Sequence, residues 1–199
     1  MAAIYSDVDR LILERWDEVS ELIDAREELE DRITDVIEAA GERVRRALQP
    51  MGYEVEIDSK GANIDAYRTS WNDRRRGPWV YFRLSGCCPR GYRRHEDAHP
   101  AVFLHTDTLE NFRIKADERR RLATSLRQAL GEAAREWDDD DCSDEDAPLG
   151  RYLTEIDNKA RCELVSSPEK LAGGAVAEFQ KAFVIADVVE ACVGKVVQR

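Results

Sequence analysis

The chain has 199 residues, and its 41 acidic side chains against 30 Lys and Arg give a net charge of −11. Apolar residues make up 43% of the sequence, which is enough for a packed core and excludes wholesale disorder. No apolar run reaches the roughly 18 residues that a membrane span requires, and the acidity argues against generic nucleic-acid binding by the whole chain. Together with five cysteines in no regular spacing, these features predict a cytoplasmic protein with reduced thiols.

Residues 6–48 have the pattern of one long helix, with Ser6 as its N-cap and Gly41 as a point at which the helix kinks or divides. A helix of that size extends for about 65 Å, more than a globule formed by this chain covers. We therefore predict a homodimer in which residues 1–48 form an acidic coiled-coil arm. A helical hairpin folded back on its own chain is the alternative. The predicted dimer seam consists of Leu22, Leu29, Ile33 and Val36.

Residues 49–199 are predicted to form an α+β domain, with a three- to four-stranded antiparallel sheet followed by C-terminal helices. Alternating apolar and polar side chains place the strands at 53–57, 63–67, 79–84 and 101–105. On the third strand, Val80, Phe82 and Leu84 share one face, which we expect to be buried. Trp79, Tyr81 and Arg83 share the other face, which we expect to point outward.

Helical spacing of apolar residues predicts three helices in the C-terminal half, at 116–137, 149–156 and 175–197. Ser167 and Pro168 have the pattern of a helix start, and Gly173-Gly174 is expected to interrupt the helix that follows. Residues 138–146 hold seven acids in nine positions. Because so many like charges repel and leave no apolar face, we predict a disordered loop there.

Seven arginines and no acid lie between residues 74 and 94. We call this set the arginine island: Arg74, Arg75, Arg76, Arg83, Arg90, Arg93 and Arg94. Trp79 and Tyr81 are interleaved with it, and exposed guanidinium groups beside aromatic rings suit phosphate contact and base stacking. The island is therefore expected to contact nucleic acid, another polyanion or an acidic protein partner. Pairing with the chain's own acidic segments, within one chain or across a dimer, is the alternative.

His95-Glu96-Asp97-Ala98-His99 matches the H-E-x-x-H pattern, in which two imidazoles on one helix face bind zinc and the Glu acts as general base. Glu118 follows at the spacing of the third ligand, which resembles the gluzincin metallopeptidases. Pro100 directly after the second His argues against a continuing helix. A zinc-dependent hydrolase is therefore an alternative function, with a solvated loop as the competing interpretation. A structural zinc site could draw on Cys87, Cys88, His95, His99 or His105.

Asp58-Ser59-Lys60 fits the (D/E)-x-K half-motif of metal-dependent nucleases, in which carboxylates hold a divalent ion and the Lys assists the nucleophile. A carboxylate upstream of it is also needed, and Glu42 is the candidate. The same residues, followed by Gly61, also have the composition of a hairpin turn.

The succession of an acidic helix, "MGYEVEIDSKGANIDAYRTSW", "WVYFRLSG" and "PLGRYL...SSPEKLAGGAVAEF" is similar to the C-terminal regions of PD-(D/E)xK-superfamily nuclease-like proteins of bacteria and phages. Where an active member of that superfamily carries E-x-K on the third strand, this chain has Arg83-Leu84-Ser85. The resemblance thus implies a catalytically silent relative that retains a binding role. The sequence favours a non-enzymatic interaction or adaptor subunit without a cofactor, of a prokaryotic phage-defence or DNA-handling assembly. A zinc hydrolase and a metal-dependent nuclease remain the alternatives.

Overall fold

The computed structural model describes residues 6–58, 63–86, 101–137, 146–152 and 163–197. The helices are α1 (Asp7–Glu14), α2 (Trp16–Leu48), α3 (Ala116–Leu130), α4 (Pro168–Ala182) and α5 (Ala186–Val197). The strands are β1 (Tyr53–Asp58), β2 (Asn63–Arg68), β3 (Asn72–Asp73), β4 (Gly77–Pro78), β5 (Tyr81–Ser85), β6 (Ala101–His105) and β7 (Leu149–Tyr152). This order confirms the predicted α+β class. None of the described helices combines the length and the apolar composition that crossing a bilayer requires.

Five strands form one antiparallel sheet in the order β1-β2-β5-β6-β7, and β3 and β4 form a separate short hairpin. The four predicted strands are confirmed, but the sheet has a fifth. The prediction of a helix at 149–156 is wrong in its described part, because residues 149–152 form β7. Leu149 pairs with Leu104 and is fully buried. An apolar run this short fits a strand or a helix equally well until a neighbouring strand is available to pair with it.

One face of the sheet packs against α2 and α4 and forms the core. Val55, Ala66 and Phe82 lie on adjacent strands of this face and are at most 5% exposed. The C-terminal half of α2 covers them, and Arg45 Nε donates to the carbonyl of Val55 at 3.1 Å. β1 is an edge strand of the sheet, and this contact gives one of its outward-facing carbonyl groups a hydrogen-bond donor.

Gly41 is buried within an uninterrupted α2, so the prediction that the helix kinks or divides there is wrong. A Cβ at this position would lie 2.6 Å from Cδ1 and Cγ1 of Ile57. The glycine therefore allows the helix and β1 to approach closely. The break in the N-terminal helix lies instead at Arg15, between α1 and α2, where φ is −121° and ψ is 36°.

The predicted helix starts are confirmed at both ends of the chain. Ser6 Oγ accepts from the Asp9 N–H at 3.1 Å and the Asp9 carboxylate accepts from the Ser6 N–H at 2.8 Å, which makes a capping box. The Ser6 hydroxyl also donates to the Asp9 carboxylate at 2.7 Å, and this bond is the main cause of the lowered pKa of Asp9. Ser167 caps α4, with Pro168 as its first residue. The predicted interruption at Gly173-Gly174 is wrong: α4 continues through it, and the break lies at the 3-10 turn Phe183–Ile185.

Candidate interaction surfaces

The N-terminal helical segment exposes its apolar side chains. We call residues 6–32 the arm; it comprises α1 and the first half of α2, and none of its side chains is buried. Ten large apolar side chains are exposed in the described residues, and eight of them belong to the arm. These are Val8, Leu11, Ile12, Leu13, Trp16, Leu22, Ile23 and Leu29. An exposed apolar surface of this kind is typical of contact sites in proteins.

The predicted dimer seam is divided by the structure. Leu22 is 71% exposed and Leu29 is 51% exposed, so both are available to a partner. Ile33 is only 5% exposed, and it packs in the core of its own chain together with the partly buried Val36. The N-terminal part of the predicted seam, up to Leu29, is therefore exposed on the arm. Its C-terminal part, from Ile33 onward, belongs to the core of the same chain.

Acidic side chains surround the apolar surface of the arm. Eleven acids and four arginines between residues 6 and 32 give the arm a charge of −7. Three of the arginines pair with acids on the same helix: Arg26 with Glu30 at 2.6 Å, Arg32 with Glu28 at 3.0 Å and Arg15 with Glu18 at 3.5 Å. The eleven acids of the arm thus outnumber its arginines by seven.

The arginine island has parts with different environments. Arg83 on β5 donates twice to Asp65 on β2, at 2.8 and 2.7 Å, and the two side chains are 28% and 14% exposed. Its guanidinium carbon lies 5.0 Å from the centroid of the Tyr81 ring. Arg83 is therefore part of a polar contact between neighbouring strands rather than a free cation.

Tyr81 lies on the predicted face of β5 but is not exposed there. Its side chain is 5% exposed, its ring stacks on His105 at 5.1 Å and its hydroxyl donates to Asp107 at 3.1 Å. Burial raises the pKa of the Tyr81 phenol. Trp79 is partly buried and packs against the core. Neither ring offers the exposed stacking surface that the sequence predicted.

The exposed part of the island is a small hairpin. We call Arg74, Arg75 and Arg76 the arginine tip; they connect β3 to β4, and all three are exposed. Asp73 Oδ1 accepts from the backbone N–H of Arg75 at 2.9 Å and of Arg76 at 3.1 Å. The first of these bonds is the main reason that the pKa of Asp73 is lowered. The remaining members of the island, Arg90, Arg93 and Arg94, lie outside the described residues.

Most of the residues proposed for a zinc site lie outside the described part of the chain. These are Cys87, Cys88, His95, Glu96 and His99. Within the described ranges, no three His, Cys, Asp or Glu side chains converge as a metal site requires. Glu118 lies at the start of α3, where Oε2 accepts from the Lys115 N–H at 3.1 Å. This carboxylate caps a helix. His105 lies on β6, where Tyr81 stacks on it.

The nuclease half-motif lies at a hairpin. Asp58 is the last residue of β1 and pairs with Asn63, the first residue of β2. Ser59 and Lys60 lie outside the described residues, as does most of the acidic run at 138–146, of which only Asp146 is described. The upstream candidate Glu42 forms an ion pair with Arg45 on α2.

The exposed Trp16 was not singled out from the sequence, although it is 57% exposed on the arm. The predicted seam began at Leu22, and Trp16 lies six residues before it. A large aromatic side chain among the charged residues Arg15, Asp17 and Glu18, in a segment predicted to be an arm, was the signal that could have identified it.

No protein-family model matches the chain, and searches of curated proteins and of solved structures also find no match. The function must therefore be inferred from the surfaces themselves.

Proposed function

We propose that this protein is a non-enzymatic interaction subunit, and that its arm pairs with the arm of a second copy. The observation that supports this proposal is the exposure of eight large apolar side chains on a segment with no buried residue. Most helix stability in proteins comes from packing of an apolar face, and no side chain of the arm is buried against the rest of the described chain. A partner would supply that packing.

The spacing along the arm suits another helix. Within α2, Val19 and Arg26 are seven residues apart, and Leu22 and Leu29 occupy the second position of the same heptads. This 3/4 spacing is the pattern of a coiled-coil seam. Arg26 interrupts the apolar run, but its pairing with Glu30 at 2.6 Å neutralises it within the same helix.

A second copy is the partner that such a seam fits, in spite of the acidity of the arm. Burying a leucine side chain completely contributes about 1.5–3 kcal/mol, and each copy would bury several such side chains. The acids lie mainly on the other faces of the helix, where salt screens charges separated by more than about 8–10 Å. Apolar association therefore outweighs the repulsion, and added salt should strengthen the dimer.

Light scattering coupled to size-exclusion chromatography tests the proposal. The full-length protein should have the mass of a dimer at tens of micromolar, and the double variant Leu22→Lys/Leu29→Lys should have the mass of a monomer. Val184→Lys is the matched control, because Val184 is 79% exposed and lies outside the arm. Circular dichroism should show that both variants keep their folded core.

The salt dependence of the measured mass tests whether the partner is a second acidic arm. A dimer whose fraction rises from low to high salt is expected for two acidic arms. A full-length protein that remains monomeric at every salt concentration would overturn the proposal. Equal dissociation of the Val184 control would also overturn it, because the arm would then not be the contact.

A further inference from the structure

We propose that the arginine tip is a second docking surface, and that it binds a short acidic segment of a protein. This inference is independent of the arm, because it rests on a different part of the fold and on charge rather than apolar contact. The tip concentrates three positive charges in a protein whose net charge is −11.

The cations of the tip are available. The chain has an excess of acids, so pairing within the chain is the alternative to a binding role for these arginines. Arg83, in the same sequence island, is paired in that way with Asp65. Among the described residues, however, no carboxylate pairs with the side chains of Arg74 or Arg75, and both are exposed. Their guanidinium groups are free to make the two-pronged contacts that Arg forms with carboxylates.

The tip is also held in place. The two hydrogen bonds to Asp73 fix the turn, and the Trp79 N–H donates to the Trp71 carbonyl at 3.0 Å just beyond the hairpin. Asn111 Nδ2 donates to the Arg76 carbonyl at 3.2 Å. The Arg76 guanidinium carbon lies 5.3 Å from the Phe112 ring centroid. A turn anchored from several directions loses little conformational entropy when it binds, which favours affinity.

The neighbouring segment adds to the positive charge. Arg113 directly follows Phe112 and is exposed, and no described carboxylate pairs with its side chain. Glu110, in the same 3-10 turn, pairs at 3.0 Å with the buried Arg119 and is thus directed to another cation. Arg113 therefore adds a fourth exposed cation near the tip, and the Asp73 carboxylate in the turn offsets one of these four charges.

The surroundings favour an acidic protein segment over nucleic acid. Binding of single strands relies on aromatic rings on which bases stack. Here Trp71 is fully buried, Trp79 is partly buried and Phe112 is covered by Arg76. A long polyanion would also extend over the rest of an acidic protein and be repelled by it. A short acidic segment can contact the tip alone, since repulsion beyond about 8–10 Å is screened at physiological salt.

Fluorescence anisotropy with a labelled decaglutamate peptide tests the inference, with an oligothymidylate strand of the same length as comparator. The variant Arg74→Ser/Arg75→Ser/Arg76→Ser should weaken peptide binding at least tenfold. The matched control, Arg46→Ser/Arg121→Ser/Arg135→Ser, removes the same charge from exposed positions elsewhere and should change the affinity less than threefold. The milder variant Arg74→Ser/Arg75→Ser keeps the Arg76–Phe112 contact and should still weaken binding severalfold.

The outcomes are distinct. Binding of the peptide that is lost with the tip and kept in the control supports the inference. It is overturned if the full-length protein does not bind the peptide at low salt, or if the control loses affinity as much as the tip variant. Tighter binding of the oligothymidylate, lost on the same substitution, would also overturn it and assign the tip to nucleic acid. Because both triple variants leave the arm unchanged, dimerisation can be measured on the same samples.

Discussion

The indole nitrogen of Trp71 donates a hydrogen bond to Oε2 of Glu190 at 3.1 Å, and this contact joins the end of β2 to α5. Trp71 is fully buried, whereas the Glu190 side chain is 39% exposed. Arg68 donates to the same oxygen at 2.6 Å and also pairs with Asp187. The last helix of the chain is therefore fixed to the sheet by a carboxylate that serves two donors.

Glu190→Ala should lower the free energy of unfolding by about 2 kcal/mol, because it leaves the buried Trp71 N–H without an acceptor. Glu190→Gln keeps an oxygen at this place and should cost less. Asp187→Ala is the control: its side chain is 87% exposed and pairs with Arg68 at the surface, so its cost should stay below about 1 kcal/mol. Urea unfolding measures all three. Equal costs at positions 187 and 190 would show that the indole bond contributes nothing.

Gly41→Ala should destabilise the protein by about 1–3 kcal/mol, because the new methyl group would overlap the side chain of Ile57. Gly173→Ala is the matched control, since no atom lies within 4 Å of the added group, and it should stabilise α4 by about 0.5–1 kcal/mol. In an Ile57→Ala background the cost of Gly41→Ala should largely disappear, as a double-mutant cycle would measure. An unchanged cost in that background would contradict the proposed overlap.

Deletion of residues 1–31 should leave a folded core, because no residue of the arm is buried. Deletion of residues 1–40 removes Ile33, Ile37 and Ala40, all of which are at most 5% exposed. Truncating a buried isoleucine costs about 2–5 kcal/mol, so the longer deletion should lower stability by more than about 4 kcal/mol. Thermal melting of the two fragments provides the measurement, and equal melting temperatures would place the arm boundary after residue 40.

The turn that carries the arginine tip should loosen at acidic pH. The Arg75 N–H lowers the pKa of Asp73 in the folded protein below the ordinary value of about 3.9. The stabilisation from this carboxylate is therefore present above that ordinary value and is lost as the pH falls through the lowered one.

Nuclear magnetic resonance can follow the Asp73 carboxyl carbon and the Arg75 amide proton, which should titrate together below the ordinary aspartate range. Asp73→Asn keeps an acceptor oxygen and should abolish the titration of the Arg75 amide. A midpoint for Asp73 at or above the ordinary value would refute the proposed hydrogen bond.

The sequence by itself determined the local elements. Ser6 and Ser167 mark helix starts because a side-chain oxygen can satisfy the free N–H groups of a first turn, whatever lies elsewhere in the fold. The alternation along residues 53–57 and 79–84 determined the strands and placed Phe82 and Arg83 on opposite faces. The same alternation did not show that the second face of the sheet is also covered at Tyr81. The side chain expected to be exposed is therefore buried.

Only the tertiary structure decided what each face contacts. One apolar stripe, interrupted at Arg26, runs along α2, yet Leu29 is exposed and Ile33 is buried, because the sheet and α4 reach only the C-terminal part of the helix. Likewise, Arg83 forms an ion pair with Asp65 on the neighbouring strand, whereas Arg74 and Arg75 lie at the end of a hairpin, where no described carboxylate forms an ion pair with their side chains. Spacing along a chain fixes which side chains share a face. The groups that lie opposite that face come from residues far away in the sequence, and only tertiary packing brings them there.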